Sequence, residues 1–211
     1  MASKQYRNVY SLSGCGCAQL FFLFLAFFLN GGIFEPSLIA QVKFEKETRI
    51  NRTDVPQNAG HMIELLELDE KVRWFKEKSE NGVSYEAKYK RQNRWHSIEF
   101  DSIGRFQDAE IDIREREVPE EVRLRIHHHL KMEFDHHWLR KIQRQLTGPE
   151  EDIRRALVKE IIPSGLVVKY EIIVKGRSSG ETHLYEYLFS DSGELERRAR
   201  IVLRNTDHLI Y

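Results

Sequence analysis

Residues 98–106 read IEFDSIGRF and residues 187–195 read YLFSDSGEL, and the similarity of these two stretches governs the interpretation of the fold. Internal similarity of this kind indicates two copies of one supersecondary unit. Residues 85–90 and 170–175 extend the correspondence towards the N-terminus. Three matches share one constant offset: Phe100 with Phe189, Gly104 with Gly193, and Phe106 with Leu195.

Around each copy, apolar and polar residues alternate along three consecutive segments. A period of two is typical of strands with one buried and one solvated face. Gly104 and Gly193 fall where a tight turn must join two of these strands, because glycine adopts a positive φ angle without steric cost. The sequence therefore predicts a three-stranded meander in each copy. The alternating positions are Val83, Tyr85, Ala87 and Tyr89, then His96, Ile98 and Phe100, then Ala109, Ile111 and Ile113; and Tyr170, Ile172 and Val174, then Tyr185, Tyr187 and Phe189, then Ala199, Ile201 and Leu203.

A helix and one further strand are predicted ahead of each meander. Val118 and Pro119 open a run in which apolar residues recur every fourth position, and proline followed by acids favours a helix start. A weaker counterpart begins at residues 54–56, and an additional short helix is expected within 149–159, after the break at Gly148. We therefore expect an α+β fold of two tandem units, each a helix packed on an antiparallel meander sheet. The predicted segments are a signal peptide at 1–40, a first unit at 41–116, and a second unit at 117–211 with an insert near 147–165.

The N-terminal segment predicts export. Residues 20–29 read LFFLFLAFFL behind the cationic Lys4 and Arg7, and the composition becomes polar after Ala40. A run of this length is typical of a secretory signal and is shorter than the roughly 20 apolar residues of a membrane span. We expect cleavage after Ala40, a periplasmic or secreted protein, and membrane contact only through the signal peptide. An uncleaved N-terminal anchor is the alternative.

The composition of the remaining chain excludes two classes of protein. Both cysteines, Cys15 and Cys17, precede the apolar run, so the exported chain is predicted to be free of disulfides and to rely on its apolar core. Without residues 1–40 the net charge is minus one. Such a balance argues against broad electrostatic capture of nucleic acid, and no nucleic-acid partner is expected.

Four short motifs in the sequence form one recognisable set. Their residues are Val118, Pro119 and Val122; Val72 and Trp74; Asn81, Gly82, Tyr85, Glu86 and Ala87; and Ile98, Glu99, Phe100, Asp101 and Gly104. These motifs resemble the PepSY-like family of exported bacterial proteins, which is related in fold to β-lactamase-inhibitor proteins. The resemblance covers roughly residues 54–204 as two tandem units, and the Ala40–Gln41 junction resembles signal ends common in the Bacteroidetes. It implies a non-enzymatic module that recognises a protein or peptide in the periplasm or at the cell surface and, by analogy of fold, an inhibitory role.

Five histidines between residues 127 and 137 form the metal-like cluster of the sequence. Consecutive helical residues point about 100° apart, so His127, His128 and His129 cannot converge on one ion. The set that could cooperate is His129, Glu133 and His136, which suits zinc or copper. We favour a solvated helix face, with a metal or small-ligand binding protein using this cluster as the alternative function. No cofactor is expected.

Catalytic signatures are weaker still. There is no glycine-rich phosphate loop and no serine elbow, so the protein is not expected to be an enzyme. Glu110 and Asp112 alternate with apolar residues and are predicted to lie on the solvated side of a strand rather than in a catalytic pair. Trp95 is out of phase with the apolar positions of its strand, so it should point away from that face. Trp95 and the adjacent Arg94 are the candidate partner-binding residues.

Overall fold

The computed structural model describes residues 41–43, 46–79, 82–159 and 161–202, and for residues 41–43 and 46 it describes the backbone. The predicted signal peptide at 1–40 lies outside the described residues. The described elements belong to one compact unit.

Ten strands and three α-helices make up the described structure. The strands are β1 (Gln41–Lys43), β2 (Lys46–Ile50), β3 (Arg73–Ser79), β4 (Gly82–Arg91), β5 (Arg94–Phe100), β6 (Phe106–Asp112), β7 (His136–Thr147), β8 (Val167–Ser178), β9 (Glu181–Ser190) and β10 (Leu195–Ile201). The helices are α1 (Gln57–Glu64), α2 (Glu120–Glu133) and α3 (Glu150–Lys159). A 3₁₀ turn, Glu115–Glu117, follows β6.

All ten strands form one sheet. From β2 to β10 every strand pairs antiparallel with its neighbour in the chain, and β1 adds to β10 in parallel. The prediction of two tandem units, each a helix packed on an antiparallel meander sheet, is therefore wrong. Its error lies at β7, which pairs with β6 on one side and with β8 on the other, so that the two meanders become one sheet.

The sheet is strongly coiled, as the positions of its outermost strands show. β1 and β2 lie at opposite edges, yet Lys43 and Lys46 are only three residues apart in the chain. Their Cα atoms can therefore be separated by at most about 11 Å, whereas the edges of a flat ten-stranded sheet would lie about 43 Å apart. The two edges must approach each other, although β1 pairs with β10 and β2 with β3.

The helices cover one face of this sheet. A coil of ten strands is about 15–20 Å across, and one helix with its side chains is about 10–12 Å thick, so three helices can pack only on the outer, convex face. Two hydrophobic clusters join them to the sheet. The first, beneath α1 and α3, includes Ala59, Ile98 and Ile153; the second, beneath α2, includes Ile126 and Tyr187.

Several local predictions are confirmed on the convex face. Helix α2 buries Val122, Ile126 and Leu130 as the four-residue spacing predicts, and α3 occupies the expected additional helix. Gly104 and Gly193 both have a positive φ, of 82° and 83°, in turns closed by the same pair of backbone hydrogen bonds. The first turn packs against the start of α1 and the second against α2.

No helix among the described residues is long and apolar enough to cross a membrane.

Candidate functional site: an acidic band on the concave face

Carboxylates follow one another across five neighbouring strands on the concave face of the sheet. Glu86 of β4 lies directly opposite Glu99 of β5, which lies opposite Asp108 of β6. Glu47 of β2 likewise lies opposite Glu77 of β3. Like charges in directly opposed positions destabilise a sheet, so this arrangement is not explained by strand pairing. We call the six carboxylates of this surface the acidic band: Glu47, Glu77, Glu86, Glu99, Asp108 and Glu110.

The acidic band contains two compact groups of oxygen atoms. In the first group, one carboxylate oxygen from each of Glu47, Glu77 and Glu86 lies within 4.8 Å of the other two. The second group has the same spacing, and its members are Glu99, Asp108 and Glu110. Carboxylates at such distances repel one another strongly unless a cation or a proton lies between them.

Much of this acidic surface is withdrawn from solvent. Glu86 is 4% exposed and Glu110 is 6% exposed, although no helix of the described part covers the concave face. The coiling of the sheet accounts for this burial, since it brings side chains of the inner face together. The amide of Gln143, 3% exposed, donates a hydrogen bond of 2.7 Å to Oε2 of Glu110.

Burial and mutual repulsion alter the ionisation of this surface. Burial, followed by the charge of Asp108, raises the pKa of Glu99 well above its ordinary value. Burial also raises the pKa of Glu110 strongly, with the charges of Glu171 and Glu99 adding to the effect. Both carboxyls therefore hold a proton at pH values where an exposed glutamate would be ionised.

Lysine and arginine side chains pair with some of the carboxylates on the concave face. In the acidic band, Nζ of Lys88 lies 2.7 Å from Glu86 and 2.9 Å from Glu47. Burial disfavours the charged ammonium, but these two carboxylates outweigh it and raise the pKa of Lys88. Beyond β7 the acids are paired with arginine, since Nη2 of Arg197 lies 3.2 Å from Glu186.

The two residues predicted to bind a partner have different roles in the structure. Trp95 lies on the concave face, as its phase predicted, and is 37% exposed. The guanidinium of Arg73 sits 5.3 Å from the centre of its ring. Arg94 points to the opposite face, where Nη1 contacts Glu117 at 2.7 Å and ties β5 to the 3₁₀ turn.

The histidine cluster is divided among several environments. His129 lies 3.5 Å from Glu133, whose other oxygen contacts Arg198 at 2.6 Å. His136 starts β7 opposite Arg177. In the described part of the chain, the groups of three donors that already lie within 4.8 Å are the two carboxylate groups, so His129, Glu133 and His136 are not assembled as a ligand set.

A different pair of histidines is brought together at the edge of α2. Nε2 of His127 lies 2.6 Å from Oε1 of Glu115 in the 3₁₀ turn. The ring of His137 at the start of β7 lies 6.0 Å from the ring of His127, centre to centre. Burial, together with the nearby charges of His127 and Lys131, lowers the pKa of His137.

Sequence patterns predicted the face of the sheet on which the acidic band lies but not the burial of its carboxylates. Alternation placed Glu110 on the side away from the helices, and this is confirmed. The expectation that this side is solvated is wrong for Glu110, because the coil of the sheet buries it. The signal that was available is the occurrence of acids at alternate positions of consecutive strands, in Glu86, Glu99 and Asp108.

No protein-family model and no curated protein sequence matches this chain. Two solved structures are similar in fold. A DUF2874 family protein from Bacteroides ovatus shares 11% identity with a TM-score of 0.46, over 69% of this chain and 87% of the other. A Bacteroides eggerthii protein provisionally described as periplasmic shares 13% identity with a TM-score of 0.45, over 69% of this chain and 88% of the other. Neither description names a PepSY-like protein, and similarity at this level assigns no activity to the chain.

Proposed function

We propose that the protein is an exported, non-enzymatic binding module that takes up a cationic segment of a partner protein along the acidic band. The observation that carries this proposal is the row Glu86, Glu99 and Asp108, in which like charges face each other across three adjacent strands. A sheet gains nothing from such a row on its own. Lysine or arginine side chains of a partner would remove the repulsion and gain charge-assisted hydrogen bonds.

The shape of the surface favours a narrow ligand. A coiled sheet with a concave inner face admits an extended segment more readily than a flat protein surface, and a strand spans about 3.3 Å per residue. Trp95 lies on this face four residues from Glu99 on the same strand, a distance of about 13 Å. An aromatic ring at this distance from the middle of the acidic row, measured along β5, offers a second anchor for a cationic side chain.

Charge balance supports the choice of a cationic partner over an anionic one. Lys88 pairs with two carboxylates of the acidic band, Glu47 and Glu86. The charges around Glu99 and Glu110 are mainly those of other carboxylates, which add to the effect of burial in raising the pKa of both groups. Negative potential focused in a concave site speeds the approach of a cationic ligand and penalises an anionic one.

Binding of a synthetic peptide of alternating lysine and serine, measured by calorimetry and by the fluorescence of the tryptophans, tests this proposal. The matched probe is a peptide of alternating glutamate and serine. We expect the lysine peptide to bind, its affinity to fall as salt is added, and the glutamate peptide not to bind. Binding of Ca²⁺ without binding of the peptide would instead make the acidic band a simple cation site and refute the proposal.

Two double variants locate the interaction. Glu77→Gln with Glu99→Gln removes two carboxyl groups from the acidic band, whereas Glu120→Gln with Glu121→Gln removes two from the first turn of α2 on the convex face. We expect the first to weaken peptide binding at least tenfold, equivalent to about 1.4 kcal/mol, and the second to leave it unchanged. Equal effects of the two would show a response to net charge alone and would contradict a site on the concave face.

An inhibitory role, which the resemblance to β-lactamase-inhibitor proteins implies, is an extension of this proposal. It requires that the cationic segment belong to an enzyme whose activity the bound module blocks. Residual activity of a candidate enzyme, measured with the protein and with the Glu77→Gln, Glu99→Gln variant, separates inhibition at the acidic band from inhibition elsewhere.

A further inference from the structure

We infer that Glu115, His127 and His137 form a binding site for a transition-metal ion of the Zn²⁺ or Cu²⁺ type. This site is independent of the acidic band and lies on the opposite face of the sheet. Three elements converge there: the 3₁₀ turn after β6 supplies Glu115, the side of α2 supplies His127, and the first residues of β7 supply His137.

The distance between the two imidazoles is close to that of a shared ion. With Zn–N bonds of about 2.0–2.1 Å in tetrahedral geometry, the centres of two coordinating rings lie about 5 Å apart. The rings of His127 and His137 are 6.0 Å apart and inclined by 40°. The donor atoms of Glu115, His127 and His137 do not all lie within 4.8 Å of one another in the described structure, so binding requires the rings to move together by about 1 Å, which side-chain rotation provides.

The carboxylate is placed to act as the third ligand. Oε1 of Glu115 lies 2.6 Å from Nε2 of His127, so these two atoms need to separate by only about 0.8 Å to bind one Zn²⁺ at bond lengths of about 2.0–2.2 Å in tetrahedral geometry. Two histidines and one carboxylate are a common zinc ligand set that leaves a fourth position for water. In the described structure the carboxylate contacts Nε2 of the imidazole directly, so this hydrogen bond is replaced when both atoms bind the ion.

The surroundings select the class of metal. Arg123 lies 3.9 Å from Glu115, and Lys131 is close enough to His137 to affect its pKa. These two positive charges disfavour ions held by electrostatic attraction alone, such as Ca²⁺ and Mg²⁺, which also require mostly oxygen ligands. Zn²⁺ and Cu²⁺ form strong bonds to neutral imidazole and can be held despite them.

The same helix provides a matched control. His128 follows His127 but points about 100° away around α2 and is exposed. Its replacement removes one histidine from the same helix without touching the proposed ligands. The test uses the purified protein without a histidine tag, titrated with Zn²⁺, Cu²⁺ and Ca²⁺ by calorimetry.

We expect Zn²⁺ or Cu²⁺ to bind with one ion per chain and Ca²⁺ not to bind at this site. His127→Ala and His137→Ala should each weaken binding at least tenfold, and Glu115→Gln should weaken it while preserving the fold. His128→Ala should bind as tightly as the unaltered protein. An equal loss in His128→Ala, or no loss in any variant, would overturn the site.

A measurement on the unaltered protein guards against variants that fail to fold. On addition of Zn²⁺, the imidazole nitrogen resonances of His127 and His137 should shift, and those of His128 should stay in place. A shift of His128 to the same extent would indicate scattered binding along the histidine-rich helix and would contradict the inference. The metal titration can fail without affecting the peptide test, because the proposed metal ligands are not part of the acidic band.

Discussion

Replacement of Glu99 by glutamine should stabilise the protein at neutral pH and leave its stability unchanged in acid. In the folded state the pKa of Glu99 is raised, first by burial and then by the charge of Asp108. In the unfolded chain a glutamate has a pKa of about 4.3. The folded state therefore binds more protons above that pH, and its stability falls as pH rises from about 4.3 towards the folded pKa. Glutamine at this position removes that loss.

The distances in the acidic band set the size of the effect. Two full charges 4.8 Å apart, the outer limit for Glu99, Asp108 and Glu110, repel by about 3.5 kcal/mol at an effective dielectric constant near 20. Protonation already relieves part of this repulsion in the unaltered protein, and glutamine must itself be partly buried. We expect a gain of about 2 kcal/mol in the free energy of unfolding at pH 7, which corresponds to a rise in Tm of roughly 4–8 °C for a chain of this size.

Thermal unfolding of Glu99→Gln and of the unaltered protein, followed by circular dichroism between about pH 4 and pH 8, measures this difference. The gain should shrink towards zero near pH 4, where Glu99 is protonated in both states. Glu181→Gln is the control, because the side chain of Glu181 is 79% exposed and should change Tm little at any pH. A gain that does not depend on pH, or a loss of stability at pH 7, would refute repulsion within the acidic band as its cause.

Five further substitutions test packing and hydrogen bonding. Gly104→Ala should lower the free energy of unfolding, measured by urea denaturation, by about 2–3 kcal/mol, and Gly180→Ala should lower it by about 1 kcal/mol. Both glycines have a positive φ. A Cβ at Gly104 would lie 2.7 Å from a neighbouring proline, whereas a Cβ at Gly180 would meet open space. Tyr89→Phe should leave the free energy of unfolding unchanged or raise it by about 1 kcal/mol, because the buried Tyr89 hydroxyl makes no hydrogen bond. Tyr187→Phe should lower it by about 1–2 kcal/mol, because the Tyr187 hydroxyl contacts an arginine. Equal changes in the two variants would contradict this explanation. Gln143→Leu should lower Tm, because it leaves a buried carboxylate without its amide donor, and an unchanged Tm would show that water replaces the amide.

Local elements were predictable from the sequence because their signals are local. The stripe of α2 and the glycine of each hairpin turn depend on residues within one turn of the chain, and Gly104 and Gly193 lie where expected. The pairing of β7 was not predictable in this way. Alternation is the same for a strand at the edge of a small sheet and for one in the middle of a large sheet, so it could not show that β7 joins the two meanders.

The candidate site was harder to predict for the same reason. Alternation gives the face on which Glu110 lies, but its burial depends on the curvature of the whole sheet. That curvature is visible only through the pairing of Gln41 with Ala199, which are far apart in the sequence. The histidines show a related limit, since helical spacing favoured His129 with Glu133, whereas His127 meets a residue of a different element.

The parallel contact between β1 and β10 has a consequence for the order of folding. From β2 to β10 each strand pairs with the one just before it in the chain, so the sheet can grow progressively as an exported chain emerges with its N-terminus first. Residues 41–43 are translated before any of these strands, but their partner is the last strand of the sheet to be translated. β1 can therefore pair only after β10 has formed, and a truncated chain that lacks β10 would leave β1 without its partner strand.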